Sequence, residues 1–262
     1  MGWNAKQYLK FEAERTQPAI DLIARLDGLA PRRILDLGCG PSNSTALLAR
    51  RFPEATLIGA DASEDMLSRA RKSCAGAEFR RCVFPEGLAE LGSFDLIFSN
   101  ACIHWIPGQE ALLRALFASL NPGGFLAVQI PLTQRAPFYQ VLNELVKEAP
   151  WEKLREIRNF YAGTPEDYDA WLRPLAARQW LWETTYYHPV ADEGAVLEWY
   201  RGSGLRPYEA MLEEEEKARL EEALLERLRE AYPKRCGDGL LLSMARLFFL
   251  AQKAEESDGF SA

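Results

Sequence analysis

Apolar and polar positions between residues 33 and 130 follow two patterns that alternate along the chain. Short apolar runs typical of buried strands occur at residues 33–37, 56–61, 78–83, 94–100 and 125–130. Longer segments with helical spacing separate some of them, at residues 44–52, 63–74 and 109–120. Strands and helices that alternate with short links are typical of a doubly wound, mostly parallel sheet. The sequence therefore predicts an α/β fold.

The pattern changes on both sides of this region. Residues 3–26 have helical spacing, which Pro18 is expected to divide or kink. Residues 134–178 are rich in aromatic residues and arginines in helix-like segments, and they predict either a cap over the ligand edge of the sheet or a plain helix layer. Strands at 179–188 and 240–252, with helices at 192–200 and 213–232, complete a seven-stranded sheet. We expect one domain with five parts: N-terminal helices over 1–30, a core over 31–131, an insertion over 132–178, the last strands and helices over 179–253, and a tail over 254–262.

Composition narrows the class of protein. The 262 residues are 48% hydrophobic, which is ample for one core, and they contain no run of 18 or more apolar residues. The first residues lack the pattern of a secretory signal, and the five cysteines show no zinc spacing with only two histidines. A net charge of −7 argues against nucleic-acid binding. We expect a cytoplasmic protein, monomeric or weakly dimeric, with a small-molecule substrate and with no metal, nucleic acid or membrane as partner.

The segment around the first predicted strand carries the main chemical signal. An apolar run reaches Asp36, and Gly38 and Gly40 follow before small polar residues that can open a helix. Such a turn brings bare backbone close to a ligand at the carboxyl end of a parallel strand. Asp61 ends the second strand, 21 residues after Gly40 (61 − 40), where an acid can accept both ribose hydroxyls of an adenosine.

Two kinds of nucleotide-like ligand fit this turn. A dinucleotide motif requires a third glycine, and Asn43 stands in its place. The carboxylate of Asp36 would repel a pyrophosphate and attract a ligand that carries an ammonium and a sulfonium. The residues therefore favour S-adenosylmethionine over NAD.

Four motifs together resemble the class I S-adenosylmethionine-dependent methyltransferases. They are Asp36-Leu37-Gly38-Cys39-Gly40, Gly59-Ala60-Asp61-Ala62-Ser63, Phe94-Asp95-Leu96-Ile97-Phe98-Ser99-Asn100-Ala101 and Leu120-Asn121-Pro122-Gly123-Gly124. The opening Trp3-Asn4, the block Gly40-Pro41-Ser42-Asn43-Ser44-Thr45, the late Thr184-Thr185-Tyr186-Tyr187-His188 and Gly204-Leu205-Arg206-Pro207 resemble one branch of that family, which methylates trans-aconitate. The likeness is weakest over residues 131–178.

This resemblance implies a Rossmann-like fold, S-adenosylmethionine as the methyl donor with S-adenosylhomocysteine as its product, and a donor site. The implied donor-binding residues are Asp36, Gly38, Cys39, Gly40, Asn43, Asp61, Ala62, Met66, Cys82, Asn100 and Ala101. The chain departs from the family at two positions. Ser42 replaces a glycine of the turn and is expected to help cap the following helix, and Cys82 stands where the family often has an acid near the adenine.

Candidate acceptor residues are spread along the chain. His104 is the candidate catalytic residue, either as a hydrogen-bond donor to a carboxylate or as a base on a hydroxyl; it could equally cap local backbone. The candidate substrate-binding residues are Tyr8, Phe11, Arg15, Trp105, Gln129, Tyr186, Tyr187 and Arg206. For the aromatic residues the alternative is packing in a core, and for the arginines a solvated surface.

The resulting expectation is methyl transfer to a carboxylate oxygen of a small organic acid, with trans-aconitate as the leading acceptor. A carboxylate is ionised at pH 7 and needs no general base. Two alternatives remain open: methylation of another small acceptor, such as a malonyl thioester, a hydroxyl or an amine, and donor binding without catalysis.

Overall fold

A computed structural model describes residues 12–158, 160–202, 204–232 and 239–255, with only the backbone for residues 12–15. The remaining residues lie outside this description. They include residues 3–11 of the expected N-terminal helical segment and residues 256–262 of the expected tail.

Seven strands form one sheet in the order β3-β2-β1-β4-β5-β7-β6. They are β1 (Arg33–Leu37), β2 (Thr56–Asp61), β3 (Glu78–Arg81), β4 (Phe94–Asn100), β5 (Leu120–Pro131), β6 (Arg178–Val190) and β7 (Leu240–Gln252). Strand β7 runs antiparallel to both of its neighbours, and the pairs among β1 to β5 are parallel. The predicted doubly wound, mostly parallel seven-stranded fold is confirmed.

Helices cover both faces of the sheet. They are α1 (Glu12–Ala24), α2 (Asn43–Arg51), α3 (Glu64–Ser73), α4 (Gln109–Ala118), α5 (Pro137–Leu145), α6 (Pro165–Leu172), α7 (Glu193–Arg201), α8 (Arg206–Glu209) and α9 (Glu214–Ala231). Along β1, Ile34 packs with α1 and α2, whereas its neighbour Leu35 packs on the opposite face with α4 and α6. Successive residues of a strand point to opposite faces, so one strand serves two cores. None of the described helices is both long and apolar enough to cross a membrane.

The β6–β7 hairpin is longer than the rest of the sheet. Strand β5 stops pairing with β7 at Pro131, opposite Arg246, whereas β6 continues to pair until Val190 meets Leu240. Apolar residues of this projecting ribbon pack with α5, α7, α8 and α9 in a separate cluster. The cluster therefore forms a helical cap beside the edge at which the parallel strands end.

Three features differ from the expectations. Of the two alternatives expected at Pro18, a division of the helix is wrong: α1 continues through Pro18, because its residues Leu22 and Ile23 are buried against the sheet and hold the segment in place. Strand β3 ends two residues early, where the N–H of Gly87 bonds to the Val83 carbonyl and turns the chain. The insertion is divided between the two anticipated arrangements, because α5 joins the cap and α6 packs on a face of the sheet.

Candidate functional site

The turn after β1 is packed against Cys102 at Gly38 and has open space beside it at Gly40. Gly38 and Gly40 have φ angles of 73° and 54°, in the left-handed region that favours glycine. A Cβ added to Gly38 would lie 2.1 Å from Sγ of Cys102, whereas one added to Gly40 would meet nothing within 4 Å. The backbone at Gly40 is therefore free for close approach by a ligand.

Ser42 also adopts the left-handed region, with φ 85°, at the start of α2. Its hydroxyl makes no capping hydrogen bond, contrary to our expectation. The reason is conformational: an N-cap side chain bonds to the helix from an extended backbone, and the glycine-type turn holds Ser42 in a different one.

Asp36 lies behind this turn and is fully buried. Its Oδ2 accepts hydrogen bonds from Ser44 Oγ at 2.8 Å and Thr45 Oγ1 at 2.6 Å. Burial raises the pKa of this carboxyl to about 6, against the lowering effect of the two hydroxyls. Its Oδ1 has no hydrogen-bond partner among the described residues. Asp36 thus fixes the turn to α2, and it does not itself line the cleft described below.

Asp61 closes the turn from the next strand. Its Oδ2 accepts the Gly40 N–H at 3.0 Å, and its Oδ1 accepts the Ser63 N–H at 2.8 Å. Burial raises the pKa of the Asp61 carboxyl, and these backbone donors act in the opposite direction. The carboxylate is thereby held rigidly at the end of β2.

A cleft of about 700 Å³ opens at this edge of the sheet. Eleven of the anticipated donor-site and acceptor-site residues line it together: Gly38, Cys39, Gly40, Asn43, Asp61, Ala62, Met66, Asn100, Ala101, Trp105 and Arg206. The open backbone at Gly40, the fixed carboxylate of Asp61 and the apolar side chains of Met66 and Phe84 suit an adenosine with a charged tail. These residues fit the methyl donor that the sequence favours.

Cys82 is one of the anticipated donor-site residues that do not line this cleft. The Cys82 side chain is buried in the core and does not line the cleft. Its neighbours Val83 and Phe84 line the cleft instead. The chain turns directly after β3, and this turn brings the following two residues to the wall.

A second, smaller cavity of about 130 Å³ adjoins the cleft. The two share Asn100, Ala101 and Trp105 as walls. Ala101 has a φ angle of 53°, a left-handed conformation that is costly for a residue with a Cβ. Its N–H bonds to the Gln129 carbonyl at 2.9 Å and holds this junction between β4 and β5.

His104 lies in the wall of the smaller cavity and is only 3% exposed. Burial, together with the positive charge of Arg246, lowers the pKa of His104 to about 3. Its ring stacks on Phe160 with centroids 5.6 Å apart, and its carbonyl accepts the Tyr161 N–H at 2.8 Å. At neutral pH the side chain is therefore an uncharged imidazole in a fixed position.

Several buried polar atoms around this cavity have no hydrogen-bond partner among the described residues. They include Nδ1 of His104, Oδ1 of Asn100, both Oε1 and Nε2 of Gln129, and the hydroxyl of Tyr200. Each such atom costs roughly 1–3 kcal/mol of desolvation when it stays unpaired. A cluster of them in one cavity is typical of a site that a polar ligand completes.

The other anticipated acceptor residues are distributed differently. Arg206 lines the larger cleft, whereas Gln129 lines the smaller cavity. Tyr186 and Tyr187 line neither: the Tyr186 hydroxyl donates to Asp21, and Tyr187 is 59% exposed. Both lie on β6, the outermost strand, one strand farther from the cavity than β7. Tyr8, Phe11 and the side chain of Arg15 lie outside the described residues.

The structure also brings in residues that the sequence did not indicate. Arg246 lines the smaller cavity with Tyr139 and Phe160, and Arg158 and Tyr161 line the larger cleft. The usable signal for Arg246 was its charge inside an otherwise apolar strand. The other four lie in the insertion, where the high content of aromatic residues and arginines does not single out individual site residues.

Comparisons with known proteins agree with this arrangement. Residues 34–124 match a methyltransferase domain family. The trans-aconitate 2-methyltransferase of Variovorax paradoxus is 39% identical over 257 residues, which cover 97% of this chain and 99% of that protein. The protein of the same name from Sinorhizobium fredii is 42% identical over 263 residues, covering 97% and 100%. The YcgJ protein of Bacillus subtilis, at 16% identity, shares the fold with a TM-score of 0.58 over 90% of this chain and 98% of that one.

Proposed function

Because the chain belongs to the trans-aconitate 2-methyltransferase family, we propose that it transfers a methyl group from S-adenosylmethionine to a carboxylate oxygen of trans-aconitate. One observation carries this proposal within the molecule. A cleft suited to an adenosine meets a small polar cavity at Asn100, Ala101 and Trp105. The methyl donor and its acceptor would meet at that junction.

The larger cleft supplies the contacts for the donor. Asp61 accepts hydrogen bonds from the ribose hydroxyls, and the bare backbone at Gly40 allows the ligand to approach closely. The bound donor supplies a methyl group that is already activated by a sulfonium. Arg158 and Arg206, in the wall of the same cleft, offer guanidinium groups to the carboxylate of the donor's amino-acid tail.

The smaller cavity supplies the contacts for the acceptor. In the reaction an oxygen–methyl bond forms as the sulfur–methyl bond breaks, and the electron pair of the broken bond stays on sulfur. The product pair is an ester and a neutral thioether, and no proton moves. Gln129 and the neutral His104 donate hydrogen bonds that position the carboxylate, while Trp105 and Phe160 keep water away from its oxygen.

The state of His104 favours a carboxylate over a hydroxyl acceptor. A hydroxyl must lose its proton to attack, and a base with a pKa of about 3 is poorly matched to that task at neutral pH. A carboxylate, with a pKa of roughly 4, is already ionised. His104 therefore acts as a positioning hydrogen-bond donor in this reaction.

Incubation with radiolabelled S-adenosylmethionine and a panel of carboxylic acids, phenols and amines tests the proposal. We expect base-labile label on trans-aconitate, as an ester requires, and less label when Asp61→Ala replaces the parent protein at a donor concentration below the parental Kd. Label confined to phenols or amines would contradict the carboxylate assignment. If S-adenosylhomocysteine raises the Tm while no acceptor in the panel becomes labelled, the chain binds the donor without catalysing transfer.

A further inference from the structure

Arg246 is a buried cation in the acceptor cavity. It lies on β7, opposite Pro131 on β5 and Thr184 on β6, and only 8% of it is exposed. The guanidinium carries five N–H donors in a planar fork that matches a carboxylate. Its position on the sheet, and not on a mobile loop, gives it a fixed place in the wall of the smaller cavity.

The strand register separates Arg246 from the junction with the donor cleft. Asn100 pairs with Gln129, and Gln129 pairs with Phe248, so β7 is the second strand from β4. Strands are spaced by about 4.8 Å, which places β7 roughly 10 Å from β4. Gln129 lies between them and also lines the cavity. A small polycarboxylic acid has the length to place one carboxylate at the junction and another beside Arg246.

Among the described residues, the groups whose pKa is affected by the charge of Arg246 are uncharged at neutral pH. They are His104, whose pKa is lowered, and Tyr186 and Tyr200, whose pKa values are raised by burial. Arg246 and Gln129 line the same cavity, so a second carboxylate placed there would lie beside the guanidinium and beside Nε2 of Gln129, which has no partner among the described residues.

We infer that Arg246 and Gln129 bind a second carboxylate of the acceptor, one that is not methylated, and so select polycarboxylic acids. This inference rests on the proposed function. It assigns to Arg246 a specificity role: the cavity recognises a carboxylate at its far wall and presents another at the junction near Asn100.

The test combines acceptors of decreasing charge with matched variants. The acceptors are trans-aconitate with three carboxylates, trans-glutaconate with two and crotonate with one. The variants are Arg246→Gln, Arg246→Lys and, as the control, Arg135→Gln, which removes an exposed arginine paired with Glu183. The kcat/KM for each acceptor is measured, and calorimetry gives the Kd of trans-aconitate in the presence of S-adenosylhomocysteine and the Kd of S-adenosylhomocysteine itself.

We expect the parent and Arg135→Gln to prefer trans-aconitate over crotonate by at least 100-fold in kcat/KM. Arg246→Gln should lose most of this preference through a rise of at least 30-fold in KM, with less than a threefold change in the Kd of S-adenosylhomocysteine. Arg246→Lys should retain part of it, because the charge remains and the planar fork is lost.

Two results would overturn the inference and leave the proposed function intact: a parent protein that esterifies crotonate as well as trans-aconitate, or a folded Arg246 variant that keeps the full preference. A parent protein that binds trans-aconitate through Arg246 but does not methylate it would instead support the carboxylate site and overturn the proposed reaction. The crotonate comparison needs no variant, so the inference stays open to refutation even if Arg246→Gln does not fold.

Discussion

The backbone N–H of Gly40 donates a hydrogen bond of 3.0 Å to Oδ2 of Asp61. This bond joins the glycine turn after β1 to the end of β2, the two places where the sequence carried its strongest signal. The other oxygen of the carboxylate is held by the Ser63 N–H. Asp61 is thus positioned before any ligand arrives, and a ribose gains its hydrogen bonds without ordering a side chain.

Replacing Asp61 should weaken donor binding more than it destabilises the fold. Asp61→Ala removes a charged hydrogen-bond acceptor, so we expect the Kd of S-adenosylhomocysteine to rise by a factor equivalent to roughly 1–3 kcal/mol. Calorimetric titration measures this change. Asp65→Asn, at an exposed carboxylate on α3 that pairs with Arg69, is the matched control. An Asp61 variant with parental affinity would remove this residue from the donor site.

Substitutions at the two glycines of the turn should have different effects on the stability of the fold and on the affinity for the donor. Gly38→Ala places a Cβ against Cys102, so it should lower the free energy of unfolding by more than Gly40→Ala does. Both substitutions also lower the free energy of unfolding by about 1–2 kcal/mol, because alanine is strained at a positive φ. Gly40→Ala projects its Cβ into open space at the ligand edge, so it should fold and lose affinity for S-adenosylhomocysteine.

Urea unfolding and calorimetry of the two variants check this contrast. Equal losses of stability in the two variants would show that Cys102 moves at little cost to accommodate the added Cβ. A Gly40→Ala variant that binds the donor with unchanged affinity would contradict the close approach of a ligand at that backbone.

The affinity for S-adenosylmethionine should fall as the pH drops through about 6. The carboxyl of Asp36 has a pKa of about 6 without ligand, and a cation beyond the turn favours its ionised form. Binding of the sulfonium therefore releases protons near this pH, and protonation at lower pH weakens binding. S-adenosylhomocysteine has no charge on sulfur and should show a smaller dependence.

Calorimetry between pH 5 and 8 tests this linkage, because that range brackets the Asp36 pKa of about 6. The Kd is measured for both ligands. Asp36→Asn keeps the shape of the side chain and removes the titration, so its two curves should run parallel. Because burial also raises the pKa of Asp61, the comparison with Asp36→Asn is needed to assign the effect. A parental curve that is flat across pH 6 would contradict a cation near Asp36.

Local sequence patterns predicted the strands that carry the donor cleft, but they did not predict which residues line the acceptor cavity. Strands such as β1 and β4 have the predicted bounds, because buried parallel strands are continuous apolar runs ended by turn residues. The place of Arg246 depends on its register with Pro131, a residue more than a hundred positions earlier in the chain. Alternation along β6 predicts which residues share a face, but it does not predict that the Tyr186 hydroxyl donates a hydrogen bond to Asp21.

The division of the sheet has a consequence for how this family can change. Residues of β1, β2 and their loops line the donor cleft together with Arg206 of α8, whereas β5, β7 and the cap helices α5 and α7 line the acceptor cavity. Substitutions in α5 or α7, or at Met244 on β7, can reshape the acceptor cavity without touching the glycine turn. New acceptor preferences can therefore arise through substitutions at the acceptor cavity alone. Asn100 and Ala101 line both the cleft and the cavity, so both substrates depend on them.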